Sequence, residues 1–308
     1  MDKLKFVEQM KNFDNNFSIE FLDLINSRFF IRINTLKISE NNMLKIFDKK
    51  NIKYVKTNVE LCYEILESEF NVVSMVEYLL GYFYIQDYGS QLIPYLLEPK
   101  ENDLILDMAS APGSKTTQIA QMTNNKSKIV ALELNFERIS KLESNIDRLN
   151  IDNLVVLNID AKDFLNDDIF SDNKMEFDKI LLDAPCSGNY LIEEDWFFKR
   201  SEDDINEVAY VQSKLLNNAF NLLKKGGILV YSTCTMNIEE NEFLINDFLT
   251  RFNSEVEIIN CNDSYKNSFS YDNFIDKYKL NKKIKNCIRI LPTNDSFKPF
   301  FICKIKKI

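Results

Sequence analysis

Leu104-Ile105-Leu106-Asp107-Met108-Ala109-Ser110-Ala111-Pro112-Gly113-Ser114-Lys115-Thr116-Thr117 runs from an apolar stretch through a turn of small residues into a helical pattern. A strand over 103–107, this turn and a helix near 115–123 form the opening of a parallel α/β unit. Small side chains let the backbone approach a ligand closely, as glycines do in dinucleotide folds. The turn is not a P-loop, which needs glycine directly before lysine, because Ser114 intervenes; nor is it a GxGxxG turn.

Downstream the alternation continues. Apolar runs predict strands over 128–132, 154–158, 178–182 and 227–232, with helices near 135–149, 202–224 and 239–252. This is the pattern of a parallel sheet with helices on both faces. Residues 287–291 and 299–305 read as an antiparallel strand pair closing the sheet, and 261–286 as a polar, basic loop with a helical piece. Upstream, helical spacing covers 17–27 with Ser18 as N-cap, followed by a strand at 29–34 and a helix from Ser39 to about 49. Short strands at 52–55 and 61–66 complete a small α+β unit. Gly81 separates it from 82–87, which leads into a helix near 90–97. The Glu98-Pro99-Lys100-Glu101-Asn102 turn is the expected boundary between an N-terminal region, 1–98, and a catalytic domain, 99–308. No internal repeat occurs.

At 308 residues the chain can bury a full core. No charge-free stretch is long enough to cross a membrane, and the polar start carries no secretory pattern. Six cysteines, at 62, 186, 234, 261, 287 and 303, form no C-x-x-C pair, so reduced thiols in a cytoplasmic protein without a metal site are expected. Histidine is absent, which removes the usual general base. The net charge of −9 is unevenly spread. Residues 28–56 carry eight basic groups against Glu40 and Asp48, and 271–308 carry ten against Asp272, Asp276 and Asp295. Basic ends around an acidic centre suit an anionic polymer held at the edges of a cleft; solvated lysine faces are the alternative.

The second strand ends at Glu133, where such folds hold ribose hydroxyls, and the third in Asn158-Ile159-Asp160, within expected reach of an adenine ring. Acidic groups at three successive strand ends favour a nucleoside ligand without phosphates, which they would repel. S-adenosylmethionine meets that description; solvated turn carboxylates are the alternative. Asp183-Ala184-Pro185-Cys186-Ser187-Gly188 and Tyr231-Ser232-Thr233-Cys234-Thr235 each place a cysteine directly after a buried strand. Free cysteines are usually small buried hydrophobes. Here the polar flanks and the position beyond carboxyl strand ends favour covalent chemistry.

Those two segments resemble the Nop/Sun family of S-adenosylmethionine-dependent RNA cytosine-5 methyltransferases. So do Ile85-Gln86-Asp87-Tyr88-Gly89-Ser90, the Ala-Pro-Gly-Ser-Lys loop, Glu133 with Arg138, Asp160 and Glu239-Glu240-Asn241-Glu242. The resemblance covers nearly the whole chain, most like the compact archaeal tRNA members. It implies a Rossmann-like class I methyltransferase sheet with helices on both faces and an antiparallel C-terminal strand. It also implies a small N-terminal α+β, RNA-recognition-like domain that includes Arg32-Ile33-Asn34-Thr35-Leu36-Lys37. Cofactor binding falls to Ala109, Ser110, Ala111, Pro112, Gly113, Ser114, Lys115, Glu133, Arg138, Asp160 and Asp183. Cys234 is then the nucleophile and Cys186 assists product release, with Asp183 near cytosine N3. The implied substrate is tRNA, with ribosomal RNA as the alternative; a non-catalytic RNA-binding protein is a third reading. No metal, membrane or obligate protein partner is implied. The chain departs from the family at Ser114, Asn189-Tyr190, Glu193-Glu194, Thr293 and Lys298-Pro299-Phe300.

Overall fold

The computed structural model describes residues 2–15, 17–18, 28–164, 175–189, 193, 195–261, 264–267, 269–292 and 297–308. The helix expected over 17–27 lies outside them from residue 19 onward, as do Tyr190, Glu194 and Thr293. The chain begins with α1 (Lys3–Met10), β1 (Phe29–Ile33), α2 (Glu40–Lys49), β2 (Lys53–Lys56) and β3 (Cys62–Glu67). Next come α3 (Val76–Leu79), β4 (Phe83–Ile85), α4 (Tyr88–Leu97), β5 (Leu104–Asp107), α5 (Ser114–Met122), β6 (Lys128–Leu132), α6 (Phe136–Leu149) and β7 (Leu154–Leu157). They are followed by β8 (Phe177–Asp183), α7 (Trp196–Lys199), α8 (Glu202–Leu222), β9 (Leu223–Thr233) and α9 (Glu242–Phe252). The chain closes with β10 (Val256–Ile258), α10 (Asp272–Tyr278), β11 (Ile288–Ile290) and β12 (Phe300–Lys307). Packing gives two compact units, Ser27–Ala161 and Met1–Asn26 with Lys162–Ile308.

In the Ser27–Ala161 unit, β2, β3, β1 and β4 form an antiparallel sheet in that order. Alternation along β1 turns Ile31 and Ile33 to one face, where they join Met43 and Phe47 of α2, Tyr63 and Phe83 in a buried cluster. Each such side chain contributes about 1.5–3 kcal/mol over its exposed state. The Ser39 side chain caps α2 by accepting from the Asn42 N–H, as its sequence position implied. The remaining strands, β5, β6 and β7, are parallel and in register, so their carboxyl ends lie side by side.

Gly81, just before β4, has a φ of +75°, and a Cβ there would lie 2.0 Å from the Arg148 carbonyl oxygen of α6. Backbone cannot yield as a side-chain tip can. Gly81→Ala is therefore expected to cost about 2–4 kcal/mol from positive-φ strain and overpacking together. Urea unfolding measures it, and an unchanged midpoint would refute the close approach.

In the second unit β8 and β9 are parallel, with Asp183 beside Ser232. β12 runs antiparallel to β9, and both β10 and β11 pair antiparallel with β12. The closing strand pair expected at the C-terminus is β11 with β12. Helix α1, which the sequence reading did not assign, is capped by Asp2. It sets Phe6 edge-on against Phe17, Trp196 and Phe197 at centroid distances of 6.1, 5.9 and 5.5 Å. Among the described residues no helix is long and apolar enough to cross a membrane, and no group of side chains could hold a metal ion.

Several groups of the two basic clusters have partners within the fold. Arg28 donates to Glu64 through two nitrogens at 2.7 and 2.6 Å. Lys50, Lys53 and Lys56 pair with Glu77, Glu67 and Glu40. Arg32 is 1% exposed, so it is a structural residue and not an RNA-facing one. In the C-terminal cluster Lys283 donates to the carbonyls of Asn253 and Val256, and Lys307 to those of Phe220 and Leu223. Counting charge along a chain cannot see cross-strand partners, which is why part of the expected N-terminal basic edge is paired with carboxylates.

Candidate active site

The loop after β5 is held by its neighbours at each step. Asp107, buried at the strand end, accepts from the Thr116 hydroxyl at 2.7 Å and the Ala109 N–H at 3.3 Å. Both the N–H and hydroxyl of Ser110 donate to the Leu132 carbonyl, fastening the turn to β6. Glu133, next after β6, accepts from the Ala111 N–H on Oε2 and the Asn135 N–H on Oε1. Arg138 donates to the Ala111 carbonyl and lies 3.5 Å from Glu133 Oε2, while Asn145 donates to the Pro112 carbonyl. Gly113 caps α5 with φ +101°, and a Cβ there would press within 2.8 Å of Leu142. Lys115 is buried in the first turn of α5, and Asp160 is half-buried beyond β7.

These residues fit an adenosine ligand without phosphates. Glu133 is buried, and its Oε1 takes one N–H where a carboxylate oxygen accepts two, leaving a lone pair for a ribose hydroxyl. The Glu133 and Asp160 carboxylates would repel a phosphate placed there.

The cysteines form their own constellation. Cys186 follows β8 and Cys234 follows β9, with sulfurs 3.2 Å apart; neither forms a disulfide and neither is fully buried. Ser232 donates to Asp183 at 2.7 Å, fixing that carboxylate at the strand end. The Asn189 amide donates to the Cys234 carbonyl at 2.7 Å. The neighbouring Cys234 sulfur, burial and the Glu240 charge push the Cys186 thiol up, so Cys186 keeps its proton. A cavity of about 450 Å³ opens at Cys186, lined in part by Pro185, Ser187, Lys199, Arg200 and Val208.

Beneath the two turns lies Glu240, fully buried. It accepts from the N–H and hydroxyl of Ser187, from Asn237 at 3.0 Å and from Gln212 at 2.8 Å. Four donors on one buried carboxylate tie the Cys186 turn to the Cys234 turn without a cation, as charge-assisted bonds can. The sequence reading quoted Glu240 within its motif but gave it no role, and it missed Asn237 and Gln212. The signal available was an acid run opening a helix with no basic neighbour. Gln212, far upstream in α8, offered none.

The family model described as 16S rRNA methyltransferase RsmB/F matches residues 94–306. The chain belongs to this family. Ribosomal RNA small subunit methyltransferase F from Shewanella piezotolerans is 36% identical over 90% of this chain and 57% of its own length. The chain thus spans little more than half of such relatives. The tRNA (cytosine(49)-C(5))-methyltransferase of Pyrococcus abyssi is 32% identical over 90% of this chain and 87% of its own. Among solved structures, a methyltransferase homologue from Pyrococcus horikoshii superposes with a TM-score of 0.80 at 30% identity, covering 100% of both chains. Family and structural likeness together establish the Rossmann-like methyltransferase fold expected from the alternating strands and helices.

Proposed function

We propose that this family member transfers a methyl group from S-adenosylmethionine to carbon-5 of cytosine in RNA, with residues 99–308 catalytic and residues 1–98 contacting RNA. The observation that carries the reading is the 3.2 Å thiol pair on the turns beyond β8 and β9. Carbon-5 of cytosine is too weak a nucleophile to take a methyl group unaided. Cys234 adds through its sulfur to carbon-6, which makes carbon-5 enamine-like; cysteine is both nucleophilic and a good leaving group. Asp183 hydrogen-bonds the ring near N3 once that nitrogen carries a proton in the adduct, and Cys186 assists departure of the product. The base is unstacked from its RNA to reach these groups. S-adenosylmethionine supplies the electrophilic methyl group. Ala109 to Lys115, Glu133, Arg138, Asp160 and Asp183 would hold it, with Glu133 on the ribose.

The proposed substrate is tRNA, acted on in the cytoplasm. The Pyrococcus abyssi relative supports tRNA, and the Shewanella relative supports small-subunit ribosomal RNA as the alternative. Purified protein is incubated with radiolabelled S-adenosylmethionine and either unmodified tRNA or small-subunit ribosomal RNA. The expected result is 5-methylcytosine in tRNA. Label only in ribosomal RNA overturns the substrate, and label in neither overturns the activity.

A further inference from the structure

Arg32 is buried without a counter-charge. Its Nη1 donates to Gln86 Oε1 and to the Ser114 carbonyl, each at 2.7 Å, and its Nη2 donates to the Thr117 hydroxyl at 3.0 Å. The guanidinium lies over the Tyr84 ring at 5.4 Å. Among the described residues no carboxylate pairs with it, and burial pushes it down to about 9. A charge kept in such a place is costly unless its hydrogen bonds hold something.

What it holds is the start of α5. Ser114 is the first residue of that helix, and the Thr117 hydroxyl in turn donates to the Gly113 carbonyl at 2.7 Å. The grip from β1 therefore falls on Ser114, in the last part of the loop assigned to the cofactor, and on Thr117 one turn further along α5. Gln86, from the Ile85-Gln86-Asp87-Tyr88-Gly89-Ser90 segment, braces the same point. Its amide donates to Gln118 Oε1 at 2.8 Å, and Gln118 donates to the Gln91 carbonyl. Gln91 then donates back to the Gln86 carbonyl at 2.7 Å. Strand β1, the turn before α4 and the first turns of α5 thus form one buried polar network around a single guanidinium. Arg32 Nε and Gln91 Oε1 are buried in it without a partner, so its geometry rests on the bonds through Nη1, Nη2 and the three glutamines.

We propose that Arg32 is a positioning residue for the cofactor loop, tethering β1 of the N-terminal sheet to Ser114 and Thr117 so that residues 109–115 keep their binding geometry. The inference rests on the cofactor placement proposed above. It assigns the N-terminal Arg32-Ile33-Asn34 segment to cofactor binding instead of RNA contact. Asn34 fits this, since its buried amide donates to the carbonyls of Gly81 and Leu149, both at 2.9 Å, and faces no surface.

The test measures S-adenosylmethionine binding by calorimetry and RNA binding by filter retention, each without the other ligand. The proteins are wild type, Arg32→Met, Arg32→Lys, Thr117→Val and Glu133→Gln. Arg32→Met should weaken cofactor binding about tenfold or more, near 1.4 kcal/mol, with RNA affinity within about twofold of wild type. Arg32→Lys, restoring one donor, should recover part of it. Thr117→Val keeps the shape of the side chain and removes the hydroxyl that accepts from Arg32 and donates to the Gly113 carbonyl, so it should lose cofactor affinity even where Arg32→Met folds poorly. A purely structural role would lower the melting temperature of Thr117→Val and leave cofactor affinity below that temperature unchanged, which overturns the proposal. RNA affinity falling while cofactor affinity holds in Arg32→Met also overturns it. If Glu133→Gln leaves cofactor affinity unchanged, the cofactor placement itself fails, separately from the role of Arg32.

Discussion

Cys234→Ala should lose methyl transfer by about 10⁴-fold or more, the scale seen when a covalent nucleophile is removed. Cys186→Ala should accumulate a protein–RNA adduct that survives denaturation. The difference follows from the chemistry. In the proposed route Cys234 forms a bond to carbon-6, carbon-5 takes the methyl group and then loses its proton, and the sulfur–carbon bond breaks as the double bond returns. Removing the first sulfur prevents the bond from forming, whereas removing the second leaves its breaking unassisted. The positions agree with this division, since Cys186 retains its proton 3.2 Å from Cys234, at the mouth of the cavity. Denaturing gel electrophoresis of labelled RNA with each variant reads both outcomes. Adduct in Cys234→Ala and none in Cys186→Ala would exchange the roles, and full activity in Cys234→Ala would falsify the covalent route.

The elements nearest this chemistry were the most legible in the sequence. Strands ending at Asp107, Glu133 and Asp183 are short apolar runs closed by acids or small residues, and hydrophobic runs of that kind need little tertiary context to be read. The two cysteines were visible because polar, turn-forming neighbours contradict a core site. Charge was the poorest guide. Arg28, Lys53 and Lys56 read as a basic edge, yet their partners Glu64, Glu67 and Glu40 come from elsewhere in the same small sheet and its helix. Arg32 counted toward the basic cluster because a tally of charge does not show what covers a side chain. Helix α1 escaped notice because eight residues carry too little periodicity, and its reason for existing, Phe6 against Trp196, lies almost two hundred residues away.

The same blindness to distant partners hid Arg289 and Glu242, whose removal should have the largest effect on stability. Arg289, on β11, donates through Nε and Nη2 to both carboxylate oxygens of Glu242, at the start of α9, and the two side chains are 1% and 0% exposed. Arg289 Nη1 also donates to the Met236 carbonyl at 3.0 Å, and Tyr271 donates to Glu242 at 2.9 Å. Burying such a pair against an apolar alternative gains little, but breaking one leaves an uncompensated charge in a dry interior. Arg289→Met should therefore cost about 3–5 kcal/mol in urea unfolding, and Glu242→Gln should be similarly costly because it strands the guanidinium. The double variant Arg289→Met with Glu242→Leu should recover a substantial part of the loss, because no lone charge remains. Additive losses in the double variant would show that the cost lies in packing alone. The contact to Met236 gives the prediction a catalytic edge. Met236 lies two residues beyond Cys234, so Arg289→Met should also loosen the nucleophile's turn. At a temperature where the variant is still folded, kcat should fall more than cofactor affinity does. The pair then links the closing strand of the sheet to the turn of the proposed nucleophile, a role that would account for a fully buried charge there.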